Sequence, residues 1–371
     1  MTIPATTRPK ASESGKSSKD GSLTPSEKKY VSSDDLYRHS SQYNLWSFTQ
    51  AQLDEMRRAA NEKGRKAALQ RFEAARSSAE AENPAVFAAH GEELTSNMLE
   101  LITYEEEQVF LRFICLQIIQ ICAHFNMPTQ VRATAMSFFR KFYLVHSVME
   151  YRPKNVAYTI VFLAAKLENY FILIESFCTR IPKTKAADIL GLEFEVLQTL
   201  QFTLLVHHPF RPLWGFFLDF QLALLHPSPV MYDVSVDTIG KLYDQAKTWL
   251  NEYALLSDAP FMFTPPQIAL AAFYDCDKRI TDRYLRLKYL SEGPDSMETI
   301  AEEEEDPAVS KHKQTQKEQY DILVKTLKRC IVVAKQELPT SREESAKIDE
   351  RCFFILSPQK LLKKKIKAFS A

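Results

Sequence analysis

The sequence predicts an all-α fold, and three observations support that prediction. Only 8 of the 371 residues are glycine, whereas 18 are proline and 45% are hydrophobic. Sheet folds with tight hairpin turns use glycine freely, so this composition favours helices separated by prolines. Apolar residues also recur at helical rather than strand spacing in most of the apolar stretches.

The N-terminal region divides into two parts. Residues 1–40 are polar and nearly free of large apolar side chains, so they cannot bury enough surface to offset the entropy of ordering. We expect a disordered arm there. Residues 41–91 are predicted to form a helix and a linker, with either Ser47 or Thr49 as the helix cap. The apolar stripe of this helix is Leu53, Met56, Ala60 and Ala67.

Five helical stretches are predicted in a first repeat, residues 92–208. The first stretch is apolar on more than one face and ends before Pro128, and Thr129 is expected to cap the second. Pro153 opens the third, which is apolar nearly all round and should be enclosed by the others. A short fourth element is ended by Pro182.

The fifth stretch contains the segment LEFEV, which alternates as a strand would. Four large apolar residues nevertheless share one helical face over about four turns, a span longer than most strands. These residues are Leu190, Phe194, Leu197 and Leu204. We therefore predict a helix.

The order of elements starts again in residues 209–336, which are predicted to form a second repeat. The pattern Pro153-x-x-Val-Ala recurs as Pro265-x-x-Ile-Ala, 112 residues later. A shared order of elements at one offset indicates duplication of a helical unit of about a hundred residues, a size that suits single domains. Residues 291–312 of this repeat are strongly acidic and should form a solvated loop.

The last part of the chain, residues 337–371, is predicted to form a C-terminal helix with a basic tail. The tail segment LLKKKIK fits a nuclear import signal, a nonspecific phosphate contact or a solvated helix end. Just before it, the segment from Ser357 to Lys360 has the form of a proline-directed phosphosite. A phosphate on Ser357 would partly neutralise the tail.

The motifs of common enzymes are missing from the sequence. The glycines stand alone, without the clusters that Rossmann enzymes, P-loop ATPases and protein kinases use to bind phosphates. Neither H-E-x-x-H nor G-x-S-x-G occurs, and Cys and His residues are not at zinc-site spacing. We predict no catalytic residue, no metal, no cofactor and no direct small-molecule substrate. His207 and His208 are interpreted as a helix-end or packed pair.

The charges are balanced, with 47 basic and 47 acidic residues, so no global field attracts nucleic acid or a membrane surface. Arg140, Lys141 and Arg211 interleave with aromatic residues, as single-stranded nucleic acid would require. Rings at helical spacing are more often core, so direct nucleic-acid binding is not expected. The apolar runs are too short for a membrane span, and the six cysteines are interpreted as reduced core thiols of a cytosolic or nuclear protein.

The segment Trp46-Ser47-Phe48 introduces the N-terminal helix, and the run FYLVHSVMEYRP is followed by VHHPFRPLWGF. These motifs resemble those of the cyclin family, and within it the H-type cyclins. The resemblance covers about residues 40–290. It implies a cyclin fold, with two five-helix repeats and extra N- and C-terminal helices, in a non-catalytic regulatory subunit.

The resemblance also implies a kinase-binding pair. In cyclins, a lysine that ends the third helix and a glutamate that opens the fifth contact the kinase near its αC helix. The matching positions are Lys166 and Glu193, and Glu193 is preferred over Glu195 because it lies nine residues before Phe202. Both charges also complement the dipoles of their own helices, which is a purely structural alternative.

The implied partner is a cyclin-dependent kinase that the chain activates by positioning the αC helix. H-type resemblance further implies a nuclear kinase module of the transcription and repair factor TFIIH, completed by a RING-finger assembly subunit. This kinase would phosphorylate other cyclin-dependent kinases and the RNA polymerase II tail. The M-R-A-I-L segment of cell-cycle cyclins is missing, so substrate docking by that route is not expected.

Three alternatives remain open at this point. A cyclin-box factor resembling transcription factor IIB would bind DNA and polymerase directly, but it would need basic faces and normally a zinc ribbon. No cysteine precedes Cys115. An all-helical enzyme would need clustered acids or bases, and a transcriptional cyclin of another subclass would share the motifs above.

Overall fold

The computed structural model describes residues 37–181, 184–225, 234–290, 307–336 and 339–369. All regular secondary structure in these ranges is helical. Most of the predicted N-terminal arm lies outside the described residues. None of the described helices combines the length and hydropathy that a membrane span requires.

The N-terminal region contains a long helix preceded and followed by short ones. These are α1 (Ser41–Trp46), α2 (Gln50–Glu82) and α3 (Pro84–His90). Thr49 rather than Ser47 caps α2, because its hydroxyl accepts from the Gln52 N–H while the Gln52 side chain accepts from the Thr49 N–H. Leu53 and Ala60 of the predicted stripe are buried, as expected.

The first repeat consists of five helices. They are α4 (Tyr104–His124), α5 (Thr129–Val145), α6 (Pro153–Leu167), α7 (Ile174–Arg180) and α8 (Ala186–Thr199). Helix α6 is central: Pro153 occupies its first turn, nearly all residues from Val156 to Ala165 are buried, and it packs against α4, α5 and α8. The prediction for Thr129 is wrong, since it is the first helical residue of α5 and Pro128 holds the cap position without a side-chain hydrogen bond.

Helix α8 forms as predicted, but it differs from the prediction in extent and orientation. It ends before Leu204, which therefore does not share its face. Ile189 and Val196 point into the core, whereas Leu190 and Phe194 are exposed. The helical period of the apolar residues was therefore correct, but the face it identified is not the buried one.

The second repeat repeats this architecture. Its helices are α9 (Phe210–Leu225), α10 (Val236–Glu252), the short α11 (Ala259–Met262), α12 (Pro265–Cys276), α13 (Lys278–Tyr289) and α14 (Pro307–Ala334). Helix α12 is central, with Pro265 in its first turn and every residue from Ile268 to Tyr274 buried. The Pro153 and Pro265 motifs therefore mark equivalent helices. Helix α14 begins at Pro307, inside the stretch predicted as an acidic loop.

Two C-terminal helices pack on the first repeat. They are α15 (Arg342–Leu356) and α16 (Pro358–Phe369). The predicted basic tail is therefore a docked helix: Leu362 and Ile366 are buried against the first core, and α16 packs along α2. Arg351 of α15 donates to the carbonyl of Leu101 at 2.9 Å and pairs with Glu106 at 2.5 Å.

The described residues form two main hydrophobic cores, one in each repeat. A smaller cluster joins the N-terminal helices to both repeats and contains Trp46, Leu53, Leu144 and Phe261. All six cysteines are unpaired, and four of them are buried, in agreement with their interpretation as core thiols.

Candidate protein-binding site

The structure brings Lys166 and Glu193 together. Lys166 lies in the last turn of α6 and Glu193 lies in α8, and the Lys166 Nζ is 2.6 Å from the Glu193 Oε1. Their side chains are 43% and 21% exposed. The Lys166 ammonium also lies 4.6 Å from the ring centroid of Phe162. An ion pair is thus fixed at the surface between two helices of the first repeat.

Glu195 does not take part in this pair. Its Oε1 accepts a hydrogen bond from the Tyr151 hydroxyl at 2.9 Å and lies 4.0 Å from the His146 Nε2. Residues two apart on a helix do not face the same way. Glu193 is therefore the carboxylate that Lys166 can use, and the role of this pair in binding a partner stays a prediction.

Large apolar side chains are exposed on the segments that carry the ion pair. We call them the apolar patch: Phe171, Leu173, Leu190, Phe194 and Phe202. Phe171 is 86% exposed, and the rings of Phe194 and Phe202 meet edge to face with their centroids 6.3 Å apart. Because α6 and α8 pack against each other, the exposed apolar side chains on and after these helices mark a surface that another molecule covers.

Left-handed turns end the two helices that carry the ion pair. Asn169 after α6 has φ 58°, and Gln201 and Phe202 after α8 have φ 53° and 55°. In both turns a backbone N–H bonds to the carbonyl five residues earlier, as in a Schellman cap. Glycine usually occupies such positions, and a bulky residue there is uncommon. The turn after α8 carries the Phe202 ring against Phe194.

The apolar patch is not among the sequence predictions. The pattern of α8 could have shown it, because Ile189 and Val196 supply one apolar face while Leu190 and Phe194 supply a second. A helix at the edge of a domain needs only one buried face. The surplus apolar face is the signal for a binding surface.

The two repeats match two parts of one known family. The cyclin N-terminal domain matches residues 92–205, and the cyclin C-terminal domain matches residues 208–335. The chain belongs to the cyclin family. The predicted all-α cyclin fold is therefore confirmed.

This cyclin is similar to several curated relatives. It is 38% identical to Cyclin CCL1 of Saccharomyces cerevisiae, over 77% of this chain and 70% of the relative. It is 36% identical to Cyclin mcs2 of Schizosaccharomyces pombe, over 70% and 74%. A putative cyclin-H of Dictyostelium discoideum is 30% identical over 63% and 73%. These relatives confirm the resemblance to H-type cyclins.

Two solved structures are also similar. A chain of the yeast TFIIK (Kin28/Ccl1/Tfb3) complex, determined by cryo-EM, is 32% identical with a TM-score of 0.57, covering 81% of this cyclin and all of that chain. A chain of the CAK complex from Chaetomium thermophilum bound to ATP-γ-S is 26% identical with a TM-score of 0.62, covering 91% and 90%.

The histidine pair of this cyclin is packed rather than placed at a helix end. The His208 Nε2 lies 2.8 Å from the Thr134 hydroxyl, and burial lowers the pKa of His208 to about 4. Among the residues the structure describes, no group of three or more His, Cys, Asp or Glu is arranged to hold a metal. Arg140 and Lys141 are largely buried, so they do not form the basic platform that nucleic acid would need.

Ser357, the predicted phosphosite, lies between α15 and α16. It is half-buried, and its N–H donates to the Phe353 carbonyl at 3.0 Å. A phosphate on its hydroxyl would lie at the N-terminus of α16, where backbone N–H groups favour anions. Modification of Ser357 stays a prediction, which mass spectrometry of the native protein checks.

Proposed function

We propose that this cyclin is the non-catalytic subunit that binds and activates a cyclin-dependent kinase of the activating type. The observation that carries this proposal is the Lys166–Glu193 ion pair, together with the exposed apolar patch on the segments that carry it. It is supported by similarity to a chain of a complex that contains Kin28, Ccl1 and Tfb3, and to a chain of a CAK complex.

The mechanism follows from the chemistry of kinases. A kinase is active when its αC glutamate pairs with the strand lysine that holds the ATP phosphates. The apolar patch would cover the αC helix in its inward position, and Lys166 and Glu193 would bond to polar groups at the edge of that contact. The cyclin activates because it binds the inward state more tightly than the outward state.

The wider setting is proposed from the relatives. The kinase and this cyclin would form the nuclear TFIIH kinase module together with a RING-finger assembly subunit and the TFIIH core. Its substrates would be other cyclin-dependent kinases and the RNA polymerase II tail, with roles in transcription initiation, DNA repair and the cell cycle. This setting rests on relatedness alone, whereas the kinase-binding surface also rests on the described geometry.

Lys166→Ala and Glu193→Ala test the binding surface. Each should weaken affinity for a purified activating-type kinase by about 2 to 5 kcal/mol, because the remaining charge is left unpaired when the kinase covers it. Calorimetric titration of the kinase with each variant measures this. Lys288→Ala is the matched control, since Lys288 pairs with Asp219 at 2.8 Å in the second repeat with side-chain exposures of 41% and 32%. Wild-type binding and activation by both folded variants would refute the assignment.

A further inference from the structure

We propose that a cavity at the junction of the two repeats is a binding site for a phosphate group. The cavity has a volume of about 270 Å³. Its walls come from α2, α4 and α5, from the turn before α11, and from the end of α14. No residue of the apolar patch or the Lys166–Glu193 pair lines it, so this site is independent of the proposed kinase contact.

Three guanidinium groups converge on this cavity from three helices. Arg57 of α2 donates two hydrogen bonds to Asp258, at 2.9 Å and 2.6 Å, and Arg140 of α5 donates to the same carboxylate. Arg112 of α4 has one hydrogen bond among the described residues, to the Leu256 carbonyl at 3.3 Å. One carboxylate therefore serves two of the arginines, and none of the described carboxylates is bonded to the third.

Two other carboxylates line the cavity, Asp54 and Glu105, and the partners that the structure shows for them are not the three arginines. Asp54 accepts from the Gln50 amide at 3.1 Å and from the Tyr104 hydroxyl at 3.3 Å. Glu105 has a side chain that is 73% exposed, and its Oε1 lies 4.0 Å from Arg58, an arginine that does not line the cavity. Among the described residues, Asp258 is thus the one carboxylate that bonds to the arginines of this cavity.

The cavity is also rich in hydrogen-bond donors. Each guanidinium has more N–H donors than these bonds use, and guanidinium has no acceptor. Gln108, Ser257 and Gln336 add neutral polar groups to the wall. A phosphate offers only acceptor oxygens on several sides, and arginine forks match its geometry. Burial lowers the pKa of Arg140 because it disfavours the charged guanidinium, and an added anion nearby would stabilise the charged form.

The phosphate could be carried by a phosphorylated side chain of a partner or by a free phosphate compound. Isothermal titration of the full chain with inorganic phosphate, and separately with a phosphoserine peptide, tests both at constant ionic strength set with sodium chloride. We expect saturable one-to-one binding of at least one probe. Arg112→Gln should weaken it by at least about tenfold, the effect of losing one charge-assisted hydrogen bond.

Two further variants make the test specific. Gln108→Glu adds a carboxylate to the wall without removing a hydrogen bond that the structure shows, and it should weaken phosphate binding even if Arg112→Gln fails to fold. Arg58→Gln removes a 62% exposed arginine outside the cavity and should leave affinity within about twofold. Tighter binding of the peptide would indicate a phosphorylated side chain, and equal binding a free phosphate. The proposal is overturned if neither probe binds saturably, or if Arg58→Gln weakens binding as much as Arg112→Gln.

Discussion

Phe194 belongs to the exposed apolar patch, so its contribution to kinase binding can be tested apart from any contribution to folding. Its ring is 66% exposed on α8, and it follows Glu193 in the sequence. Phe194→Ser should lower kinase affinity by about tenfold or more, because an exposed aromatic anchor is lost from the contact. The free energy of unfolding should change by less than about 0.5 kcal/mol.

Leu222→Ser is the control for this prediction. Leu222 is 69% exposed on α9 of the second repeat, away from the proposed contact. Kinase titration and urea unfolding of both variants measure the two quantities. Equal kinase affinity of the two variants would mean that the apolar patch is not the kinase surface.

Lys141 is buried with no hydrogen-bond partner for its Nζ among the described residues. It lies 5.0 Å from the Trp46 ring centroid, and burial lowers its pKa to about 8. The pKa is about 10.4 when unfolded, so the cost of folding the charged form is full below pH 8 and fades as the pH rises toward 10. We expect Lys141→Met to raise the free energy of unfolding by about 1 to 3 kcal/mol at pH 7, and by much less at pH 10.

Urea unfolding at the two pH values measures this difference. A variant that is less stable than wild type at pH 7 would show that the contact of the ammonium with Trp46 outweighs the cost of burying the charge. In that case Lys141 holds the N-terminal helices in place.

At the scale of the elements, Gly64 of α2 sets how closely the N-terminal helix packs on the first repeat. A Cβ built on Gly64 would lie 2.6 Å from the Ser147 hydroxyl and would also clash with the Ser147 Cβ. Ser147 cannot move freely, because its hydroxyl donates to the buried Glu107 at 2.8 Å. Gly64→Ala should therefore destabilise the protein by about 1 to 3 kcal/mol.

Gly240 of α10 provides the opposite case. A Cβ there would have no neighbour within 4 Å. Gly240→Ala should raise stability by about 0.5 to 1 kcal/mol, since glycine in a helix interior has a larger entropy to lose. Thermal unfolding of both variants measures the contrast. Stabilisation by Gly64→Ala would contradict the close packing of α2.

The elements differ in how well the sequence predicts them. Prolines and apolar period locate α6 and α12 because Pro153 and Pro265 act locally, in the first turn of each helix. The orientation of α8 depends on which of its two apolar faces the neighbouring helices cover. The local sequence pattern does not contain that information. Docking of α16 through Leu362 and Ile366 depends on α2, nearly three hundred residues earlier. Lys166 and Glu193 were predicted from family resemblance, and only the fold shows that they meet.

At the scale of the whole molecule, Asp258 joins the second repeat to the N-terminal helix and the first repeat. It binds Arg57 of α2 and Arg140 of α5. Burial alone would raise the pKa of Asp258, but the hydrogen bond from Arg57 and the charge of Arg140 lower it to about 2. A carboxylate with a lowered pKa stabilises the fold above its unfolded value of about 3.9, and that contribution is lost as pH falls through 2.

Asp258→Asn should therefore lower the free energy of unfolding by about 3 to 5 kcal/mol at pH 7, because two buried guanidinium groups lose their counter-charge. The difference from wild type should shrink as the pH falls from 4 to 2. Urea unfolding across this range measures it. A difference that does not change with pH would mean that Asp258 acts through packing rather than charge.

The proposed function of the whole molecule is its effect on a kinase. The most direct measurement is the activity of a purified activating-type cyclin-dependent kinase, titrated with the full chain of this cyclin. We predict that activity rises and saturates with the wild-type cyclin, and that the Lys166→Ala, Glu193→Ala double variant shifts the titration to much higher concentration. Kinase activity that the folded wild-type cyclin leaves unchanged would contradict the proposal that this chain activates the kinase.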